Sequence, residues 1–382
     1  MILLALILSV VSSTSPRFSS LKTLYSPLIN TYHHQYSLNL SIGTPPQTLQ
    51  LILGLQTSYT WVQSSPCPCI SKYSPSTSQT HTSSGENLTL SYEIGSIDSK
   101  ISSDTLSINS KTLENFQFLT SFKQTELGHL RSSGVLGMGI RQHPEDFPTV
   151  LDTLSQQGTI DEKVFSLYLA PKGSSEESFV TFGGYDQELC KGKEGVSVEA
   201  DTLGGFWKVE IGHVEYGGVY YDMNPEVLVD IGTSMLYVDK RVAKKIKKYL
   251  KSLYKCYLDK DFFCEIPSSD LETLSPLSIG LGGHTFDIPP TNYLSCEGST
   301  CKVNISSLPS NTWILGIPFL LSFYSIFNPQ SSSILLFLPI QPAPLQSSLY
   351  LPTLIFFTSL SSYLLLFFSY KRNPRLFSYH RL

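Results

Sequence analysis

Between residues 36 and 42, Tyr36, Leu38, Leu40 and Ile42 alternate with Ser37, Asn39 and Ser41, a period of two that predicts a strand with one buried face. Gly43-Thr44-Pro45-Pro46 supplies turn residues, and residues 49–53 predict a second strand partly buried on both faces. Residues 63–86, rich in Ser, Thr, Pro and Cys, read as loop. Residues 88–92 and 101–108 alternate again with a turn around Gly95 between them, so they predict a hairpin. Helix signals are few. The clearest covers 239–253, where Val242, Ile246, Leu250 and Leu253 recur at helical spacing. Its other face carries Lys244, Lys245, Lys247, Lys248 and Lys251, which read as a solvated face.

The pattern is weakly duplicated. A strand, a small-residue turn and a later Leu-Gly step occur at 51–61 with Val135-Leu136-Gly137, and again at 227–236 with Ile314-Leu315-Gly316. Similarity at this separation predicts two homologous lobes, not a solenoid. The expected division is a lobe over 31–200 and a second over 201–340, with the junction near 195–205. A Pro-containing stretch then reads as a stalk at 341–348.

The ends change the picture further. The apolar run opening the chain, followed by Ser12 and Ser13, is too short to span a bilayer and reads as a signal peptide over 1–12. A short Ser-rich lead occupies 13–30. Residues 349–370 carry no formal charge and are rich in Leu, Phe, Ile and Tyr. As a helix they extend about 33 Å, enough to cross the hydrocarbon core. Lys371, Arg372 and Arg375 follow, so residues 371–382 are expected in the cytosol and the body in the lumen or outside, a single-pass type I membrane protein of the secretory pathway. The rival readings are a lipid-anchor signal, whose tail would end hydrophobic, and a buried core helix.

Seven cysteines suit an oxidising compartment. Cys256, Cys264, Cys296 and Cys301 allow three pairings; Cys264 with Cys301 and Cys256 with Cys296 is the favoured one, though sequence does not decide it. Cys67-Pro68-Cys69 has no second ligand pair at matching spacing, and His33-His34 stands alone, so no metal or cofactor signature is visible. Asn39, Asn87 and Asn304 each begin a glycosylation triplet. A formal charge of −4 offers no basic field for nucleic acid. The 21 Tyr and 21 Phe, among many turn formers, favour a β-rich fold.

Four pieces, in order, resemble the pepsin-like aspartic protease family over about residues 31–340. They are Tyr36 through Ile42-Gly43-Thr44-Pro45-Pro46-Gln47, Phe182-Gly183-Gly184-Tyr185-Asp186, Phe206-Trp207-Lys208-Val209, and Trp313-Ile314-Leu315-Gly316 with Phe319 through Asn328. The resemblance implies a mainly β, bilobal fold with a peptide-binding cleft between the lobes, here followed by a C-terminal transmembrane helix. The family's chemistry uses two carboxylates, one per lobe, each in an Asp-Thr-Gly turn and sharing one water and one proton.

Val229-Asp230-Ile231-Gly232-Thr233-Ser234 matches that turn, so Asp230 stands in a catalytic position by resemblance. In the first lobe the register is set by Trp61-Val62, which in the family follow the aspartate at seven and eight residues. Position 54 is glycine, within Leu53-Gly54-Leu55-Gln56-Thr57-Ser58. No aspartate occurs from Met1 to Ile97, and the only acids there are Glu86 and Glu93. Leu55 and Ile231 replace the threonines that hold the family's carboxylates, and packing of one against the other is an expected substitute. Tyr92 corresponds to the flap tyrosine that the family bonds to a tryptophan at the place of Trp61; the alternative is that both are core aromatics. Glu93-Ile94 replaces a glycine hinge there. Tyr92, Trp61, Gly232 and Thr233 are the expected substrate-binding residues. The expectation is a membrane-anchored homologue that binds peptide or protein without cleaving it. The alternatives are an active endopeptidase with a compensating acid, and a surface protein with a collapsed cleft.

Overall fold

A computed structural model describes residues 22–338, apart from 32–34, 65–70, 93–94, 128–129, 131, 144–145 and 260. The expected signal peptide, stalk, membrane span and basic tail lie outside the described residues, as do His33-His34, Cys67, Cys69, Glu93 and Ile94. Among the described residues no helix is long and apolar enough to cross a membrane.

The period-two patterns become sheet. Gln35–Ile42 pairs antiparallel with Gln47–Gly54, and Leu38 opposite Leu51 puts two completely buried leucines on one face. They belong to an eight-stranded sheet ordered Ile29–Thr31, Gln35–Ile42, Gln47–Gly54, Gly134–Gly137, Trp61–Gln63, Lys111–Thr125, Ser96–Ile108, Thr82–Ser91. The expected hairpin is its edge. Its first strand begins earlier than the alternation suggests, at Thr82 within the segment read as loop. Residues 82–87 are exposed, so no apolar face marks them; they are held by backbone pairing to Ser96–Ile108.

The lead also enters the fold sooner than expected. Leu24–Pro27 pairs with Phe179–Phe182, at one end of a fourteen-stranded sheet. In that sheet Phe165–Tyr168 lies between Phe179–Phe182 and Tyr324–Asn328, so strands far apart in sequence form one shared base. Trp207 caps this base. Its ring meets Phe165 and Phe327 with centroids 6.0 and 5.1 Å away, and its Nε1–H donates to the Met138 carbonyl at 3.0 Å.

Helix Lys240–Leu253 forms where predicted, with Asp239 as its cap: the carboxylate accepts the Arg241 N–H at 2.7 Å. Val242, Ala243, Ile246 and Leu250 are buried in the core. A four-stranded sheet follows, ordered Lys255–Leu258, Phe262–Glu265, Thr300–Val303, Leu294–Glu297. It corrects the favoured cysteine pairing. The disulfides are Cys256–Cys264 and Cys296–Cys301, with Cα atoms 4.0 and 3.9 Å apart. Each joins residues directly opposite on the two arms of one hairpin. Cys264 and Cys301 are neighbours across the middle of the sheet, but each bonds outward to its own hairpin. Among the described residues Cys190 is the free thiol, and burial pushes it up to about 11. Of the three glycosylation triplets, Asn39 and Asn87 are exposed, whereas Asn304 is buried and donates its amide to Ser295.

Candidate functional site

The duplication seen in the sequence is carried by strand pairing. Gln47–Gly54 runs parallel to Gly134–Gly137 with Leu53 opposite Leu136, and Glu226–Val229 runs parallel to Trp313–Leu315 with Val229 opposite Leu315. In each unit a later strand closes antiparallel on the central one, Trp61 meeting Val135 and Tyr237 meeting Ile314. The residues following Leu53 and Val229 are Gly54 and Asp230, and each closing aromatic lies seven residues on. Gly54 and Asp230 therefore occupy equivalent places. Gly137 and Gly316 also play equivalent parts, since a Cβ on either would stand 2.3–2.7 Å from backbone of the turn after position 54 or 230.

Asp230 is buried. The Thr233 hydroxyl donates to its Oδ2 at 2.7 Å. The backbone of Gly232 and Leu55 and the side chain of Gln56 also stand close enough to favour its charged form. A Cβ at 232 would sit 3.1 Å from Oδ2, so glycine keeps that approach open. Burial raises the Asp230 pKa, and the Thr233 hydroxyl and these polar neighbours offset part of the rise. The largest influences on its charge are burial and these polar neighbours, none of them a carboxylate.

On the other side Gly54 is closely packed. A Cβ built on Gly54 would lie 2.4 Å from Val135 Cγ1, inside any real contact. Thr57, equivalent to Thr233, turns its hydroxyl to local backbone: Oγ1 accepts the Tyr59 N–H at 3.1 Å. Leu55 and Ile231 are both completely buried in the main core. Trp61 Nε1–H donates to the Tyr92 hydroxyl at 2.7 Å. Burial drives the Tyr92 pKa upward.

Three cavities of about 150, 300 and 510 Å³ adjoin this centre, and Gln56 and Tyr92 line all of them. The smallest holds Asp230 among Ile52, Trp61, Leu127 and Val135. The largest reaches Phe206, Lys208 and Ile314. The structure thus brings Asp230, Gly232, Thr233, Gly54, Trp61 and Tyr92 to one place. Sequence reasoning missed Gln56 as a site residue. Its only signal was a long polar side chain at a turn position where the resemblance has glycine.

The model of the eukaryotic aspartyl protease family matches residues 35–336. The chain belongs to the eukaryotic aspartyl protease family. Relatives within this aspartyl protease family include pepsin A of Gallus gallus, 28% identical over 328 residues, spanning 81% of this chain and 86% of that protein. Gastricsin of Homo sapiens is 27% identical over 332 residues, 82% of this chain and 83% of its own length. Vacuolar protease A of Neurospora crassa is 27% identical over 316 residues, covering 79% and 78%. The crystal structure of the aspartic proteinase from Irpex lacteus has the same fold, with a TM-score of 0.70 at 20% identity over 83% of this chain and 97% of that one.

Proposed function

We propose that this aspartyl protease homologue binds a peptide or an extended protein segment in its cleft without hydrolysing it. One observation carries the reading: Asp230 shares its small cavity with the Gln56 side chain, while Val135 fills the space beside Gly54. Peptide hydrolysis at such a centre needs one carboxylate to take a proton from water and another to give one to the carbonyl. An amide side chain can hydrogen-bond to Asp230 but cannot exchange protons in that way. Loss of one member of an acid–base pair removes several kcal/mol of transition-state stabilisation, a factor of thousands or more. Cavities of about 300 and 510 Å³ beside the pair favour binding over a collapsed cleft. The endopeptidase alternative needs a compensating acid such as Glu93, which lies outside the described residues.

In this reading the lobes span 31–200 and 201–340. The leader at 1–12 directs the chain to the secretory pathway, where the homologues' acid-protease fold is at home. Residues 349–370 anchor it, with the body luminal or extracellular and residues 371–382 cytosolic; exposed Asn39 and Asn87 are the glycan acceptors. The test is a peptide library presented to the full chain, with bound sequences read out by mass spectrometry. Selective, intact peptides that are lost on Phe206→Ala support a working cleft. Retention of no peptide above background removes the binding function.

A further inference from the structure

The outward face of helix Lys240–Leu253 carries charge that the cleft does not use. Its fourteen residues hold six lysines, one arginine and no acid. The chain's formal charge is −4, so the remainder of the sequence carries −11. Like charges stand four apart at 240/244, 241/245, 244/248 and 247/251, a spacing that opposes helix formation. Arg241 is paired with Asp239 at 3.0 Å, but among the described residues none of the six lysines has an ion-pair partner. Nearby acids are engaged elsewhere, Asp261 by Lys302 and Glu265 by Lys255, each at 2.7 Å.

Apolar tips frame these lysines. Val219 (46% exposed) and Tyr220 (59%) lie on the hairpin bordering one side, where a cavity of about 220 Å³ runs between Tyr216, Tyr221 and Tyr249 and reaches Lys245 and Lys248. On the other side, the ammonium groups of Lys247 and Lys251 stand 5.5 and 5.6 Å from the centre of the Phe262 ring. Phe262 is the cross-strand partner of Leu258, which is 70% exposed. Leu253 is exposed as well, so three of the nine exposed large apolar side chains among the described residues, Val219, Leu253 and Leu258, border this one helix, while Tyr220 and Tyr257 stack on His213 and Phe263. Single exposed apolar residues are ordinary; such a concentration around a lysine field is not. Protein interfaces are poor in lysine. Lysines set among apolar side chains instead suit a bilayer, with ammonium groups at the headgroups and apolar tips below them.

We propose that this face docks onto an anionic lipid surface. The full chain is reconstituted into nanodiscs of phosphatidylcholine alone or with about a third phosphatidylserine, with bromine on the acyl chains. Leu258→Trp supplies the probe, because the three natural tryptophans are at most 3% exposed. Each lysine near an anionic surface contributes about fivefold to partitioning, so combining Lys244→Glu, Lys245→Glu and Lys248→Glu is expected to weaken docking by at least about a hundredfold. The expected result is strong quenching of the new tryptophan in anionic discs, little in neutral ones, and loss of the anionic signal on charge reversal. Val219→Trp repeats the measurement on the opposite side of the helix. Equal quenching in both lipids, or quenching that survives charge reversal, overturns the proposal. So does binding to a soluble polyanion with no quenching in either disc.

Discussion

Replacing Gly54 with alanine adds one methyl group at the centre of the site and tests whether Val135 holds the space next to Asp230. The backbone at Gly54 is outside the left-handed region, so alanine meets no conformational penalty there. Gly→Ala at a compatible position ordinarily stabilises by about 0.4–1 kcal/mol through the unfolded chain. Here the new Cβ stands 2.4 Å from Val135 Cγ1, while the next contacts, Thr57 Cγ2 at 3.4 Å and the Leu136 carbonyl oxygen at 3.8 Å, are close to ordinary van der Waals distances. Relief requires Val135 to give way by about 1 Å in a packed sheet, and overpacking of this kind costs about 1–3 kcal/mol. Gly54→Ala is therefore expected to destabilise the wild type. In a Val135→Ala background, where Cγ1 is gone, the same change is expected to be neutral or stabilising. Urea unfolding of the four proteins, compared at equal m, gives the coupling directly. A stabilising Gly54→Ala in the wild type, or equal effects in both backgrounds, refutes the reasoning.

Other expectations follow from the same site. Because burial raises the Asp230 pKa, the native state holds this proton at pH values where the unfolded chain has released it. Stability should therefore fall as pH rises from the ordinary carboxylate range through the raised value, and Asp230→Asn should flatten that part of the curve; an unchanged curve contradicts it. Tyr92→Phe leaves the Trp61 Nε1–H without its 2.7 Å partner, and Trp61 is completely buried. The loss should be about 1–3 kcal/mol in urea unfolding, and no loss would show that the bond contributes nothing. Peptide mapping without reduction should recover Cys256 linked to Cys264 and Cys296 linked to Cys301. A peptide joining Cys264 to Cys301 would overturn that assignment.

What the sequence disclosed followed from local periodicity and chain order. Alternation located Gln35–Ile42, and helical spacing located Lys240–Leu253, because in both the buried face repeats within a few residues. That Gly54 and Asp230 follow equivalent strands was legible because Trp61 and the Leu-Gly steps fixed the register. Thr82–Ser91 was read only in part, since its first half is exposed on both faces and takes its order from a partner strand. The cysteine pairing depended on which residues oppose one another across hairpins, a matter of register that composition does not encode. The places of Gln56 and Val135 beside Asp230 and Gly54 were not legible for a related reason. The first meets Asp230 from the other half of the duplicated pattern, and the second reads as an unremarkable strand valine until a neighbour lacks its side chain.

The most direct test is turnover. The purified full chain is incubated with denatured protein and peptide substrates from about pH 2 to pH 7, spanning the range over which a carboxyl pair changes charge, and the products are read by mass spectrometry beside an Asp230→Ala control. The expected result is the same peptide map for both proteins at every pH. Cleavage by the wild type that disappears in Asp230→Ala would contradict the account, because it would require a second acid working with Asp230.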